Sequence, residues 1–571
     1  MKKVVLLSSA LLATFILSGC GQEKKEEKKE NAAQENIPVQ VLAINDFHGA
    51  IDTTSTLHQL DGSEVKDAGL VARMATVLNN AQEDFEKQYH ATKDQTIRVE
   101  SGDLVGASPA ASSLLQDEPV IKIMNKLHFN VGTLGNHEFD EGLPEFNRLL
   151  TNKEWDGNHP MTKEAVQNYK QGPNHMQLVV SNVETTNGKV PFQWKPYTTI
   201  EVKDKEGKSA KIGFIGVVTP ELKTLTMSKN LKGYKILDPA KQIVKYSKEL
   251  EKQDVKAICV LAHTAAGNNK DGSKTETEKM LDQVKKLDPK ASVDAVFAGH
   301  DHQLQNKTYQ DILVTESANQ GKAVMNIVGE IDPKTKDFSS TPKAKVIPVD
   351  DKVKPDQEIE KLVKEAEKEV QPIVSKKVAV TKDKKEISEE CNTNAESALG
   401  DLITDGQLAM AKKEGFHPQA AITNTGGIRA NLVVDKKGTI TWGSAQAVQP
   451  FGNILQVVEI SGENIRKAVE RSLQQPDALT LQFSGLTYTA IKDGKDKKLK
   501  EIRIQDQPLN DKKTYQVVLN DFLCGGGDGY TSLAHNKIIG SLGTDTDVFI
   551  EHLQKTKEVS APKTNRKELQ K

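Results

Sequence analysis

The feature that most constrains this chain is the way its apolar runs end. From residue 39 to about 349, apolar runs of strand length alternate with longer amphipathic or charged stretches. That pattern requires crossover connections and a largely parallel or mixed sheet. Strands are expected at 39–44, 96–100, 130–134, 177–180, 211–217, 257–261 and 295–298, with helices at 69–80 and 118–127. Five runs stop at metal-binding residue types: Ile44-Asn45-Asp46-Phe47-His48, Glu100-Ser101-Gly102-Asp103, Leu134-Gly135-Asn136-His137-Glu138, Leu261-Ala262-His263, and Phe297-Ala298-Gly299-His300-Asp301-His302. Ligands of open α/β sheets bind beyond the carboxyl ends of the strands, so five such ends can meet at one rim. Each motif alone reads better as turn chemistry or a structural histidine. Only the ordered set points to a metal site.

With 571 residues, of which 37% are hydrophobic, the chain exceeds one ordinary core, and two domains are expected. Residues 352–375 are rich in Lys and Glu, with Ile359, Leu362, Val363 and Val370 at helical spacing. They read as an exposed connecting helix and a hinge region between a domain at 39–350 and another at 376–555. The second region has its own expected helices (395–413, 462–473) and strands (455–460, 514–520), and the tail from 556, above all 560–571, reads as frayed. Lys plus Arg total 77 against 79 for Asp plus Glu, which gives no long-range attraction for a nucleic-acid polymer. No obligate protein partner is inferred.

The first 19 residues have the anatomy of an export signal, with Lys2 and Lys3 ahead of a fourteen-residue apolar stretch too short to span a bilayer comfortably. Leu17-Ser18-Gly19-Cys20 resembles the lipobox of bacterial lipoproteins, which implies lipidation of Cys20 and an anchor on the outer face of a bacterial cell membrane. Residues 20–38, including the run from Glu23 to Glu30, hold little to bury and read as a charged tether. Without residues 1–19 the chain has 75 Lys plus Arg against 79 Asp plus Glu, so charge alone would not hold it to an anionic membrane. Cys259, Cys391 and Cys524 form no CxxC pair or disulfide framework.

The five motifs, in this order, resemble the calcineurin-like metallophosphoesterase signature. The resemblance implies a four-layer αββα domain holding two divalent transition metals, Zn, Mn, Co, Fe or Ni, that share an activated water. It implies Asp103 as the bridging ligand, Asp46, His48 and His302 at one metal, Asn136, His263 and His300 at the other, and His137 with Asp140 as a catalytic dyad. Histidine at 302 stands where some members use glutamine or asparagine.

Further along, Glu396-Ser397-Ala398-Leu399-Gly400-Asp401, Asn424-Thr425-Gly426-Gly427-Ile428-Arg429, Gln449-Pro450-Phe451-Gly452-Asn453 and the segment from Asn520 to Tyr530 are similar to the α/β substrate domain of secreted 5'-nucleotidases. The resemblance then covers about residues 39–553. It implies Phe451 and Phe522 as a base sandwich, Asp528 on the sugar hydroxyls, Arg429 and Asn424 on phosphate or sugar, and Asn453 at the base edge. Many relatives carry a phosphate-binding arginine shortly before the position of Glu396, where this chain has Asn392, Thr393, Asn394 and Ala395. The implied activity is hydrolysis of extracellular nucleoside 5'-monophosphates for salvage, with UDP-sugar hydrolysis or 2',3'-cyclic-nucleotide phosphodiesterase activity as alternatives in the same family. A transporter lipoprotein that binds nucleotides without cleaving them would share the lipobox but leaves the five motifs unexplained.

Overall fold

Alternation along each strand of the first domain divides its apolar side chains between two cores, and this sets the layering. A computed structural model describes residues 36–570 apart from 156–165, 167–168, 170–171, 173, 227, 269–271, 494–495 and 535. The leader, Cys20 and the tether up to residue 35 lie outside the described residues. In the strand Ile37–Ile44, Val39, Val41 and Ala43 join Val99, Phe214, Leu261 and Phe297 in a core between two sheets. Leu42 and Ile44 join Met74 and Leu78 of the helix Val71–Tyr89 instead. In the second sheet Cys259 and Leu261 belong to the inter-sheet core. Val260 and Ala262 pack with Ile243, Met280 and Leu281 of the helices Pro239–Glu251 and Glu276–Leu287. The order is helix, sheet, sheet, helix, the four-layer αββα arrangement.

Strand direction then positions the rim. Ile37–Ile44, Thr96–Glu100, Val131–Gly132 and Gln177–Leu178 run parallel in the first sheet, with Ile44 opposite Glu100 and Glu100 opposite Gly132. In the second, Ser209–Val218, Ile258–His263 and Ala295–Phe297 are parallel, with His263 opposite Val218 and Leu261 opposite Phe297. The expected strand at 130–134 shrinks to two residues, because only Val131 and Gly132 find partners on both sides.

The connecting helix Gln357–Val374 is not exposed all round, as its composition suggested. Ile359, Val363, Ala366, Val370 and Ile373 are buried on one stripe, in a core that also holds Met124, Leu399, Trp442 and Phe549. Its charged side chains occupy the other face, where Lys122 pairs with Glu365 and Lys126 with Glu358. The second domain is built on a five-stranded sheet. The helices Ala398–Lys413 and Asp545–Thr556 pack on one face and Gly462–Leu473 on the other.

The tail is not frayed. The strand Lys567–Gln570 pairs in parallel with Leu486–Asp493. The backbone N–H groups of Arg566 and Lys567 donate to the two Glu396 oxygens at 2.8 and 3.1 Å, and Arg566 Nη2 lies 2.7 Å from Asp405 Oδ2. The sequence around 566 carries no apolar alternation; polar partners some 160–170 residues earlier hold it. Glu396 and Asp401, two residues of the substrate-domain motif, therefore serve this clasp. Arg566→Ala should destabilise the second domain by about 2 kcal/mol, because it removes the guanidinium that donates to Asp405 and to the Phe483 carbonyl and leaves that buried acceptor unpaired. Urea unfolding checks this, with an exposed Lys563→Ala substitution as control.

Candidate active site

The loops that leave the rim are zipped together by their backbones. Asp46 N–H donates to Gly102 O at 3.0 Å and His48 N–H to Asp103 O at 2.9 Å. Five of the seven candidate metal ligands, Asp46, His48, Asp103, His300 and His302, have positive φ, between 49° and 91°. Such backbone costs about 1–3 kcal/mol per residue and persists where surrounding contacts over-determine it. Gly135 is required by contact: a Cβ there would sit 2.1 Å from Asp103 Oδ1. Its neighbour's carboxylate occupies the space a side chain would need.

The side chains form two donor groups joined at Asp103. Asp46, His48 and His302 place ligand atoms within 4.8 Å of one another, as do Asp103, His263 and His300. Asp103 Oδ2 lies 3.1 Å from His263 Nε2, 3.8 Å from His48 Nε2 and 4.0 Å from His137 Nε2. Asp46 Oδ1 lies 3.4 Å from His302 Nε2. Asn136 Oδ1 and His300 Nδ1 are buried without a hydrogen-bond partner, an arrangement that normally carries a cost. Two carboxylates, an amide oxygen and imidazoles without thiolate, with His263 Nε2 also lacking a hydrogen-bond partner, fit divalent transition cations.

The electrostatics divide the donors: burial opposes the charged form of His263, but Asp103 and Asp46 raise it to about 10, whereas two other imidazoles stay neutral. Burial drives His48 down to about 3 and His300 to about 4, keeping both imidazoles neutral, the form that ligates metal. Burial opposes ionisation of Asp46, yet His263 and His302 hold it at about 2. Burial also opposes the charged form of His137, but Asp140 and then Asp103 raise it to about 9. His137 Nδ1 is 2.7 Å from Asp140 Oδ2, on the 3-10 turn His137–Phe139. Asn230 Nδ2 donates to Asp140 O and so fixes the turn.

Several supporting residues had no assigned role in the sequence. Glu138, the last residue of its motif, is buried and accepts from Gly135 N–H at 2.5 Å, Asp103 N–H at 3.0 Å and Leu104 N–H at 2.8 Å, pinning two ligand loops. Its position beside His137 was the available signal. Asn45 donates to Asp46 Oδ2 and accepts from Ser317 N–H. Gly106 O and Ser101 O orient His48 and His263 through Nδ1, each at 2.9 Å, and Asn319 lies 3.2 Å from His302 Nδ1. Such outer contacts fix ring orientation. Ser317 ends the strand Ile312–Ser317 and Asn319 follows it, in a stretch that no sequence motif marked.

From the second domain, Phe451 stacks on His137 with centroids 5.4 Å apart and planes 14° apart, and Arg429 lies 5.6 Å from the Phe451 ring centroid. Gln446 Nε2 donates to Ser113 Oγ across the same junction. Asn424 Nδ2 donates to Asp528 Oδ2 at 3.1 Å, and Asn453 Nδ2 to Asp545 Oδ2 at 3.1 Å. Phe522 lies against Gly527, where a Cβ would meet its ring at 2.4 Å. Among the described residues the Phe451 ring therefore packs on His137, not on Phe522. The structure gathers Asp46, His48, Asp103, His137, His263, His300, His302, Arg429 and Phe451, whereas Asn424 with Asp528 and Asn453 with Asp545 form separate hydrogen-bonded pairs.

Comparison with known proteins places this geometry in a family. The model for calcineurin-like phosphoesterases matches residues 39–304, and that for the 5'-nucleotidase C-terminal domain matches residues 377–535. A cell wall protein of Listeria monocytogenes is 40% identical over 560 residues, covering 94% of this chain and 69% of its own length. The endonuclease YhcR of Bacillus subtilis is 33% identical, covering 93% of this chain and 40% of its own length, so the chain spans well under half of that relative. The crystal structure of a 5'-nucleotidase precursor from Thermus thermophilus shares the fold, with a TM-score of 0.70 at 23% identity over 94% of this chain and 99% of that one. With its two domains and a rim of Asp and His groups suited to two metals, this chain belongs to the 5'-nucleotidase family of metal-dependent phosphoester hydrolases.

Proposed function

We propose that the chain is an exported, lipid-anchored 5'-nucleotidase that cleaves extracellular nucleoside 5'-monophosphates to nucleoside and phosphate for salvage. One observation carries this reading: the donor groups meet at Asp103, which lies within 4.0 Å of His48, His137 and His263, and Phe451 of the second domain, with Arg429 against its ring, stacks on His137. Asp46, His48 and His302 would hold one divalent cation, Asn136, His263 and His300 the other, with Asp103 common to both. When bound, such a pair supplies Lewis-acid polarisation of the phosphate oxygens and a water acidified toward neutrality.

The chain's own residues supply the rest. His137, held protonated by Asp140, donates a hydrogen bond to a phosphoryl oxygen or the departing ester oxygen. Arg429 offers a guanidinium to the phosphate, and Phe451 offers an aromatic face for the base, with Phe522 as its counterpart. Asn424 and Asp528, already paired, present an amide and a carboxylate to the sugar hydroxyls, and Asn453 is the candidate contact for the base edge. The basic, apolar and small-residue order of residues 1–20 supports export and a lipid at Cys20.

Purified protein with a transition metal should release phosphate from AMP. Chelation or Asp103→Asn should reduce the rate by at least about a hundredfold, an outcome expected when the shared carboxylate is lost; no turnover with any metal would favour a binding protein instead. Phe451→Ala should raise KM for AMP by about tenfold, in line with the ~1–3 kcal/mol of a base stack, and leave a small aryl phosphate nearly unaffected. Cys20→Ser should abolish incorporation of labelled fatty acid into the chain in growing bacteria.

A further inference from the structure

One arginine of the second domain belongs to no motif, yet it grips the loop that carries Asp528. Arg471 stands in the last turn of the helix Gly462–Leu473. Its Nη2 donates to Asp528 O at 3.0 Å, and its guanidinium carbon lies 5.6 Å from the centroid of the Tyr530 ring. That spacing suits a cation over an aromatic face. Tyr530 is itself fixed: it is fully buried, and its hydroxyl donates to Leu479 O at 2.6 Å. Gly529 leaves room for the guanidinium, since a Cβ there would collide with Arg471 Nη2.

The loop needs such a clamp. Gly526, Asp528 and Gly529 have positive φ, at 88°, 52° and 72°. Glycine adopts that backbone freely, whereas for aspartate it is less favourable and persists where contacts impose it. The carboxylate is held from the other side. Asn520 Nδ2 donates to Asn424 Oδ1 at 3.0 Å, and Asn424 Nδ2 to Asp528 Oδ2 at 3.1 Å, so two amides tie the acid to the ends of the strands Ala420–Asn424 and Thr514–Asn520. Backbone and side chain are thus fastened to different elements, one to a helix and the other to the sheet. Burial raises the Asp528 carboxyl to about 6, with the Asn424 hydrogen bond and the charges of Arg471 and Arg429 opposing that rise, which leaves it ionised at neutral pH. An ionised carboxylate is an acceptor only, and its two oxygens match a pair of neighbouring hydroxyls.

We infer that Arg471 is a positioning residue for the sugar end of the cleft: by clamping the Asp528 backbone in its left-handed turn, it holds the carboxylate where both ribose hydroxyls can donate to it. The inference rests on the nucleotidase reading and adds to it the residue that sets a preference for ribonucleotides over nucleotides lacking those hydroxyls. Arg471 touches no substrate in this account; it acts through Asp528.

The test measures binding of adenosine and of 2',3'-dideoxyadenosine to the metal-loaded full chain by calorimetry, with phosphate release from AMP followed separately. The unaltered chain should bind adenosine about tenfold more tightly than the dideoxy analogue, as hydrogen bonds to a charged group allow. Arg471→Ala should shrink that ratio to within about threefold by weakening adenosine, and Arg471→Met, which keeps the stem and loses the donor, should do the same. Arg471→Lys should restore part of the ratio, because an ammonium still donates and still places charge over the ring. Lys467→Ala removes a positive charge one turn earlier on the same helix, from a residue paired with Glu463, and should leave the ratio as it is. A ratio near one in the unaltered chain, no binding of either nucleoside, or equal weakening of both by Arg471→Ala would overturn the positioning role. Absence of phosphate release from AMP would sink the nucleotidase reading instead, and the binding ratios would still decide the role of Arg471.

Discussion

Asp103 must stay ionised while buried, and the architecture around it is what that demands. A carboxylate removed from water requires compensating charge and hydrogen bonds. Imidazoles from three other loops approach its Oδ2 within 4.0 Å, while His137 N–H donates to its Oδ1 at 2.8 Å. Those loops can converge only because parallel strands in two sheets end at one rim, and only because several ligand residues accept left-handed backbone. The contacts of Glu138 to three backbone N–H groups then hold two of the loops in register. Neutral His48 and His300 beside ionised Asp46 suit a pair of divalent cations, which would complete the charge balance of such a site.

The second domain is part of this centre. Phe451 covers His137, and Arg429 reaches the same region, so residues more than three hundred positions apart shape one cleft. The connecting helix makes this possible. Its apolar stripe belongs to a core holding side chains of both domains, while its ion pairs tie it to the helix Glu118–Lys126. Any motion between the domains has to be accommodated around that packed stripe, and so does any rearrangement that brings Phe451 away from His137 and toward a base held with Phe522.

Charge is organised differently at the two ends of the second domain. Near the cleft, acidic groups crowd one arginine. At the far side, the backbone N–H groups of Arg566 and Lys567 hold the buried motif carboxylate Glu396, the Arg566 guanidinium lies 3.5 Å from Asp401, and the chain end becomes a strand of the fold. Residues of one recognisable motif family thus divide between chemistry and structure, which a motif match by itself does not separate.

Much of the centre was legible in the sequence because it is local. A strand that ends in small residues followed by Asp, Asn or His states its direction and its donors in five or six positions, and the strand Thr96–Glu100, the strand Thr514–Asn520 and the helix Gly462–Leu473 follow the sequence pattern to the residue. The residue types of the metal rim and the His137–Asp140 pairing follow from such short-range order. Tertiary structure alone decided what depends on distant partners: the contacts of Asn45 with Ser317, the stack of Phe451 on His137, the buried stripe of the connecting helix and the docking of the tail on Glu396. Periodicity reports which side of an element is apolar, but the energy of burying a charge is set by whichever groups the fold brings against it.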